Sequence, residues 1–207
     1  LNPNNGEAIF LRKLIADPSD TTDGNASFTQ IMGDANLITV NFNPAADRLR
    51  VISNTGQNLR INVDTGATIT DGTINLATGS AAVVAGAYTN AFAGTGSTKL
   101  YSIDQNSDRI YLQNANAGTL GNSTALGADI NTNGGGGFDI DPVNNVGFAA
   151  LKLASGNYKF FKLNLANVGT SNDAVFESHD LNNSFNSMGI RGIALKRSTD
   201  ATAQGYG

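Results

Sequence analysis

The chain reads as an all-β protein, a β-propeller-like repeat of four-stranded antiparallel blades. Three observations predict this. Short apolar runs alternate with polar residues, the breaks between them are rich in Gly, Asn, Asp and Pro, and both features recur with a period of about 50 residues. Charged residues make up 14% of the chain and glycines number 24, so polarity is carried by amides and hydroxyls, a composition suited to turns rather than long helices.

The period rests on two markers. One is an apolar strand running into a polar turn with glycine: LNPNNGEA at 1–8, INVDTGAT at 61–68, QNANAGTL at 113–120 and LNLANVGT at 163–170. Its glycines, Gly6, Gly66, Gly118 and Gly169, lie 60, 52 and 51 residues apart. The other is an apolar segment suited to be the innermost strand of each unit, at 37–42, 83–89, 138–140 and 190–195. The clearest unit spans 43–72. An Asn-Pro turn leads to a strand at 48–53, a turn at Asn54-Thr55-Gly56, a strand at 58–63, a turn at Asp64-Thr65-Gly66 and a fourth strand. Leu49 and Val51 alternate with Arg48 and Arg50, and Leu59, Ile61 and Val63 with Arg60 and Asn62, which predicts one buried and one wet face.

The same rhythm places blades at 37–76, 82–127 and 135–181. In the second, AFAGTGST at 91–98 is a longer loop, followed by KLYSID and RIYLQN joined by QNSD. Residues 1–15 and 189–196 are expected to share a closing blade, 8–15 pairing with 190–195, in one domain over 1–196 with about five blades, the first incomplete. The stretch 16–36 is irregular, with a short strand expected at 28–32; insertions in repeat folds fall on loops, often on the binding face. The residues 197–207 carry no apolar period and read as a flexible tail. The chain starts at Leu1, and a leader or longer segment is expected ahead of it.

Several function classes drop out on composition. A net charge of −4 offers no electrostatic footprint for nucleic acid, and no apolar run approaches the ~20 residues of a membrane span. Without cysteine there is no disulfide, thiolate metal site or thiol nucleophile. His179, the sole histidine, sits in Glu177-Ser178-His179-Asp180, where neighbours on a strand alternate faces and cannot converge as a triad. NGGGG at 133–137 precedes a strand rather than a helix, so its glycines are expected to admit close backbone approach, not a phosphate.

Three sets of residues stay as candidates. DPSDTTDGN (17–25) and DQNSD (104–108) are oxygen-rich; Asp20, Asp23 and Asn25 are the ligands expected if a calcium ion binds, no other cofactor being expected, and ordinary turn chemistry is the competing use. Arg48, Arg50 and Arg60 form either a basic patch for a carboxylate or acidic polysaccharide, or structural pairs with Asp47, Asp64 and Asp71. Tyr88, Tyr101, Tyr111, Tyr158 and Phe160 are expected to pack. For a lyase or hydrolase, Asp139 and Asp141 are the carboxylates to inspect.

The run DRLRVISNTGQNLRINVDTGA at 47–67 resembles the signature of a family of exported bacterial proteins carrying a domain of unknown function, in which FNP-x-x-DRLRV is followed by TGQNLR and N-x-x-TG. AYTNAFAG (87–94), TKLYSID (98–104), GFDID (137–141) and IRGIAL (190–195) are similar to its later landmarks, so the resemblance runs from about 37 to 195. It implies a secreted, propeller-type repeat protein. No activity comes with the family, hence no catalytic residue is carried over. The expected function is a non-catalytic exported binding or scaffolding module, acting through protein contacts or self-assembly at the cell surface, in the periplasm or outside the cell. The alternatives are a carbohydrate-binding module, with or without calcium, and a carboxylate enzyme.

Overall fold

A computed structural model describes residues 5–21, 27–131, 133–181 and 183–195. The fold is all-β, with three sheets, a short helix α1 (Asn183–Met188) and one 3-10 turn (Leu165–Asn167) among these residues. The first sheet contains β1 (Ile15–Ala16), β2 (Ile38–Asn43), β3 (Arg48–Ser53), β4 (Asn58–Ile61) and β5 (Ala67–Thr70), in the order β1-β5-β4-β3-β2. The second is a meander of β6 (Val83–Tyr88), β7 (Leu100–Asp104), β8 (Arg109–Gln113) and β9 (Leu120–Ala125). The third is a meander of β10 (Gly136–Ile140), β11 (Val146–Lys152), β12 (Tyr158–Asn164) and β13 (Val175–Asp180). All neighbours are antiparallel except β1 and β5.

One edge strand of each sheet, β2, β6 and β10, lies beside the next, β6 standing between the other two. Side chains rather than ladder bonds join β2 to β6. Gly86 N–H donates to Thr39 Oγ1 at 2.9 Å and Tyr88 N–H to Asn41 Oδ1 at 3.1 Å. The sheets then pack face to face. Ile52 and Ile74 meet Val83, Tyr88, Leu100, Tyr111 and Leu120 between the first and second sheets. Ala87, Ile103 and Ile110 meet Phe138, Ile140, Leu151, Phe161 and Leu163 between the second and third. At about 1.5–3 kcal/mol for each fully buried large side chain, these two seams hold most of the hydrophobic stabilisation.

The glycine period has a physical cause. Gly6, Gly66, Gly118 and Gly169 all take positive φ, at 73°, 80°, 73° and 84°. A Cβ at Gly66 would collide with the Lys13 carbonyl, one at Gly118 with the carbonyls of Gly72 and Thr73, and one at Gly169 with the Asn122 side chain. Each of these glycines thus lies against residues about 50 positions earlier in the chain. The hydrogen bonds repeat as well. Ile15 N–H donates to Gly66 O at 3.0 Å, Asn75 N–H to Gly118 O at 3.0 Å, and Asn75 forms a parallel bridge with Thr119 as Ile15 does with Ala67.

The ends of the chain depart from expectation. Residues 8–15 and 190–195 do not share a sheet among the described residues. Ile15–Ala16 pairs with β5, whereas residues 190–195 run along β10. The glycines of 133–137 allow that approach: a Cβ at Gly137 would strike the backbone of Gly192 and Ile193, and Leu195 N–H donates to Asp139 Oδ2 at 2.7 Å. No strand forms at 28–32. There one side chain from the β3–β4 turn satisfies the backbone, Met32 N–H donating to Gln57 Oε1 and Gln57 Nε2 to the Gln30 carbonyl. Phe28 packs with Val51, Leu59 and Ile61 on the apolar face expected to be buried. The other face of β3 and β4, expected to be wet, is covered by the second sheet, where Arg50, Ile52 and Asn58 are buried. The strand expected at 58–63 stops at Ile61 because the Asn62 Oδ1 accepts the Asp64 N–H and starts the turn. The tail expected at 197–207 lies outside the described residues.

Gly118→Ala is expected to lower the unfolding free energy by about 2–4 kcal/mol, from left-handed strain plus collision with the preceding backbone. Gly79, whose φ is +85° with open space around its Cβ, is the control, and Gly79→Ala should cost only about 1 kcal/mol in urea titrations.

Candidate functional site

The three candidate arginines separate in the structure. Arg50 and Arg60 are register partners on β3 and β4, a like-charge pair that needs an anion between its members. Asp71, at the end of β5, supplies it. Arg50 Nη1 lies 2.6 Å from Asp71 Oδ2, and Arg60 reaches both carboxylate oxygens at 3.0 and 3.1 Å. Arg50 and Asp71 are 3% and 2% exposed, Arg60 31%. Arg50 also donates to Asn58 Oδ1 at 2.9 Å, to the Tyr88 hydroxyl at 3.2 Å and, through Nη2, to Asn116 Oδ1 at 3.0 Å. Tyr88 and Asn116 belong to the second sheet and its last turn, so the guanidinium joins two sheets. Arg48 turns away and donates to the carbonyls of Asp47 and Ala46 in its own turn. Of the three carboxylates considered as partners, Asp71 makes the ion pairs. Asp64 contributes its backbone carbonyl, which accepts from Arg12 Nε at 2.8 Å.

The acidic candidates are engaged by backbone. Asp20 Oδ2 accepts the Thr70 N–H at 2.9 Å, tying residues 16–36 to the end of β5, while Asp23 and Asn25 lie outside the described residues. In the second acidic run, Asp104 Oδ2 accepts from Ser107 and Asp108 Oδ1 from the Ile130 N–H. Asp139 accepts from Leu195 and Ile140, and Asp141 from Val143 in a turn, so the two are held by separate backbone groups. Tyr88, Tyr101, Tyr111 and Tyr158 are buried, and Phe160 stacks on Phe148 with ring centroids 5.9 Å apart. Burial raises the Tyr101 phenol above its ordinary value. His179 is exposed on β13, 2.8 Å from Glu177; that contact and the Lys162 ammonium hold the Glu177 carboxyl below the usual range.

What the sequence did not indicate is an apolar surface at the two ends of the row of sheets. The segment 37–42 was expected to be an inner, covered strand, yet on β2 Val40 is 54% and Phe42 52% exposed. They stand in register with Val51 and Leu49, on the face that Phe28, Leu14 and Ala16 cover over β3 and β4. On β2 that cover reaches Ile38 but not Val40 and Phe42. Ile9, Phe10 and Leu11 add a consecutive exposed run, Phe10 being 82% exposed. At the other end, Phe148 and Phe160 are half-buried, and Phe176 is exposed beneath the Lys162 ammonium, which sits 5.2 Å from its ring centroid. The alternation of LITVNFN was legible; which end of the row it would occupy was not.

Asp71→Ala is expected to cost about 3–5 kcal/mol in urea unfolding, because it strands the buried Arg50 charge. Arg60→Gln should cost about 1 kcal/mol, and Arg50→Met with Asp71→Leu less than Asp71→Ala alone. Tyr101 is neutral in the fold at pH values where it ionises when unfolded. Its contribution to stability is full below its ordinary value near 10 and is lost as the pH rises through the raised one. Tyr101→Phe should therefore flatten the alkaline decline of stability, followed by melting temperature from pH 8 to 11.

Compared with known proteins, the chain finds no match among curated ones. A family model, that of the domain of unknown function DUF4394, matches residues 9–194. With all three sheets lying inside that span, the chain belongs to the DUF4394 family.

Proposed function

We propose that the chain is an exported, non-catalytic scaffolding module that assembles with further copies of itself, its sheets being blades of a propeller-type fold. The observation that carries this is the apolar face at β2, with Val40 and Phe42 half exposed beside an otherwise covered sheet. Inside the chain, sheets stack through faces of this kind, Ile52 against Tyr88 and Ile103 against Phe161 being examples. The third sheet ends the row with another such face at Phe148, Phe160 and Phe176. The occupant of the β2 face is therefore the third sheet of a second copy. Such contacts are head-to-tail and continue into rings or filaments. Covering Val40 and Phe42 contributes about 1 kcal/mol for each half-exposed side chain, with the Ile9–Leu11 run adding to it. Export follows from the resemblance of residues 47–67 to exported proteins. The engagement of Asp71, Asp104, Asp139 and Asp141 by structural donors supports a binding role over carboxylate catalysis.

Native mass spectrometry across a concentration series should show oligomers that grow with concentration. The double variant Val40→Asp, Phe42→Ser should be monomeric with an unchanged circular dichroism spectrum. A wild-type chain that stays monomeric up to ~100 μM, an association free energy weaker than about −5.5 kcal/mol, sinks the self-assembly reading.

A further inference from the structure

We infer that one end of the second sheet carries a cleft for an acceptor-rich oligosaccharide bearing uronate carboxylates. Two hollows meet there, with Thr98 and Lys99 lining both. One, of about 570 Å³, lies toward the first sheet, and the other, of about 410 Å³, toward the third. Each volume falls in the range of small-molecule sites.

Five amide side chains of the lining turn the same group, the NH₂ donor, away from their protein partners. Asn43, Asn114, Asn144 and Asn164 reach the hollows from four different turns or strand ends. In each, Oδ1 accepts a backbone N–H, from Ala45 and Ala46, Ala117, Val146 and Ala166 respectively, at 2.9–3.1 Å. Those bonds fix the amide orientation, since a flipped amide would set NH₂ against N–H. Among the described residues the four Nδ2 groups have no protein acceptor, which leaves donors facing the cleft. Gln113 repeats the pattern in the floor. It is 4% exposed, its Oε1 accepts from Ser102 Oγ at 2.6 Å, and its Nε2 has no partner. Lys99 is exposed and forms no ion pair among the described residues. No carboxylate lines either hollow, although Asp and Glu outnumber Lys and Arg in the chain, 17 to 13.

A site built from donors selects a ligand built from acceptors. A peptide presents as many backbone donors as acceptors, and a nucleic acid needs several cations where this cleft has one. Sugar hydroxyl and ring oxygens accept from amide nitrogens, a uronate carboxylate accepts from the Lys99 ammonium, and Leu112 with Ala115 offers an apolar patch for a ring face. This site is separate from the β2 face, so a monomeric protein leaves it untouched.

Titration calorimetry on the full chain, with hexagalacturonate as probe and cellohexaose as the neutral comparison, tests the assignment. Hexagalacturonate should bind with a submillimolar constant, at least about tenfold more tightly than cellohexaose. Lys99→Met should remove that preference and Lys99→Arg retain it. Asn114→Asp and Asn144→Asp keep the oxygen that closes each turn while replacing the donor by an acceptor, so each should weaken binding about tenfold without shifting the melting temperature. Absence of binding to both sugars, equal binding of the two, or undiminished binding by the Lys99→Met and Asn→Asp variants would overturn the proposal.

Discussion

One carboxylate governs how the first two sheets fit together. Asp71 sits between guanidiniums that the β3–β4 register forces into adjacency, and without it Arg50 and Arg60 would repel across the ladder. With it, Arg50 is neutralised inside the protein and its remaining donors are free to reach Tyr88 and Asn116 on the next sheet. Asn58 completes the junction, its Nδ2 donating to the Gly72 and Ala115 carbonyls. Desolvating two charges offsets most of their attraction, so the cluster contributes little net stability compared with an apolar seam. Its effect is on geometry: three side-chain hydrogen bonds, from Arg50 to Tyr88 and Asn116 and from Asn58 to the Ala115 carbonyl, fix the angle and register at which the second sheet may dock, which apolar contacts alone do loosely.

The two seams are consequently unlike. Between the first and second sheets, Arg50, Asn58, Ser102 and Gln113 are buried among aliphatic and tyrosine side chains. Between the second and third, the core is a continuous set of Val, Ile, Leu, Ala and Phe, joined by Tyr101, whose hydroxyl donates to the Leu165 carbonyl. The other polar links lie at the ends, where Asn90 and Asn145 exchange hydrogen bonds through their amides and Thr124 bonds Asn167 and Gly169. A substitution of one aliphatic residue by another is more readily absorbed in the second seam, whereas the first depends on donors and acceptors matched one to one.

Much of this was legible from residue spacing, and the reason is local. A turn glycine with positive φ and a backbone pressed against it leaves no alternative residue, so Gly66, Gly118 and Gly169 mark the period plainly. Strand alternation in 48–53 and 58–61 is likewise a near-neighbour property. The roles of the arginines were only half legible. Asp71 was identifiable as a partner within its own unit, but Asn116 and Tyr88 lie 66 and 38 residues from Arg50, and nothing in the spacing brings them to it. The stretch 16–36 misled for a similar reason. Read as an open loop, it carries one aromatic, Phe28, whose burial depends on a sheet made later in the chain. The cleft beside Lys99 was not legible at all, because its asparagines look like ordinary turn residues and serve as such with one atom each.

The pairing of Ile15–Ala16 with β5 bears on the order in which the molecule comes together. Every other strand pair within a sheet joins neighbours in sequence, through connections short enough to close quickly, but β1 must wait for a strand that begins at Ala67. Leu14, Ala16 and Phe28 have nothing to cover until β3 and β4 exist. During synthesis these residues leave the ribosome ahead of the first sheet and pack onto it afterwards. Residues made before the first sheet are thus among the last to settle, and until they do the apolar face over Val51, Leu59 and Ile61 is open to any other chain nearby.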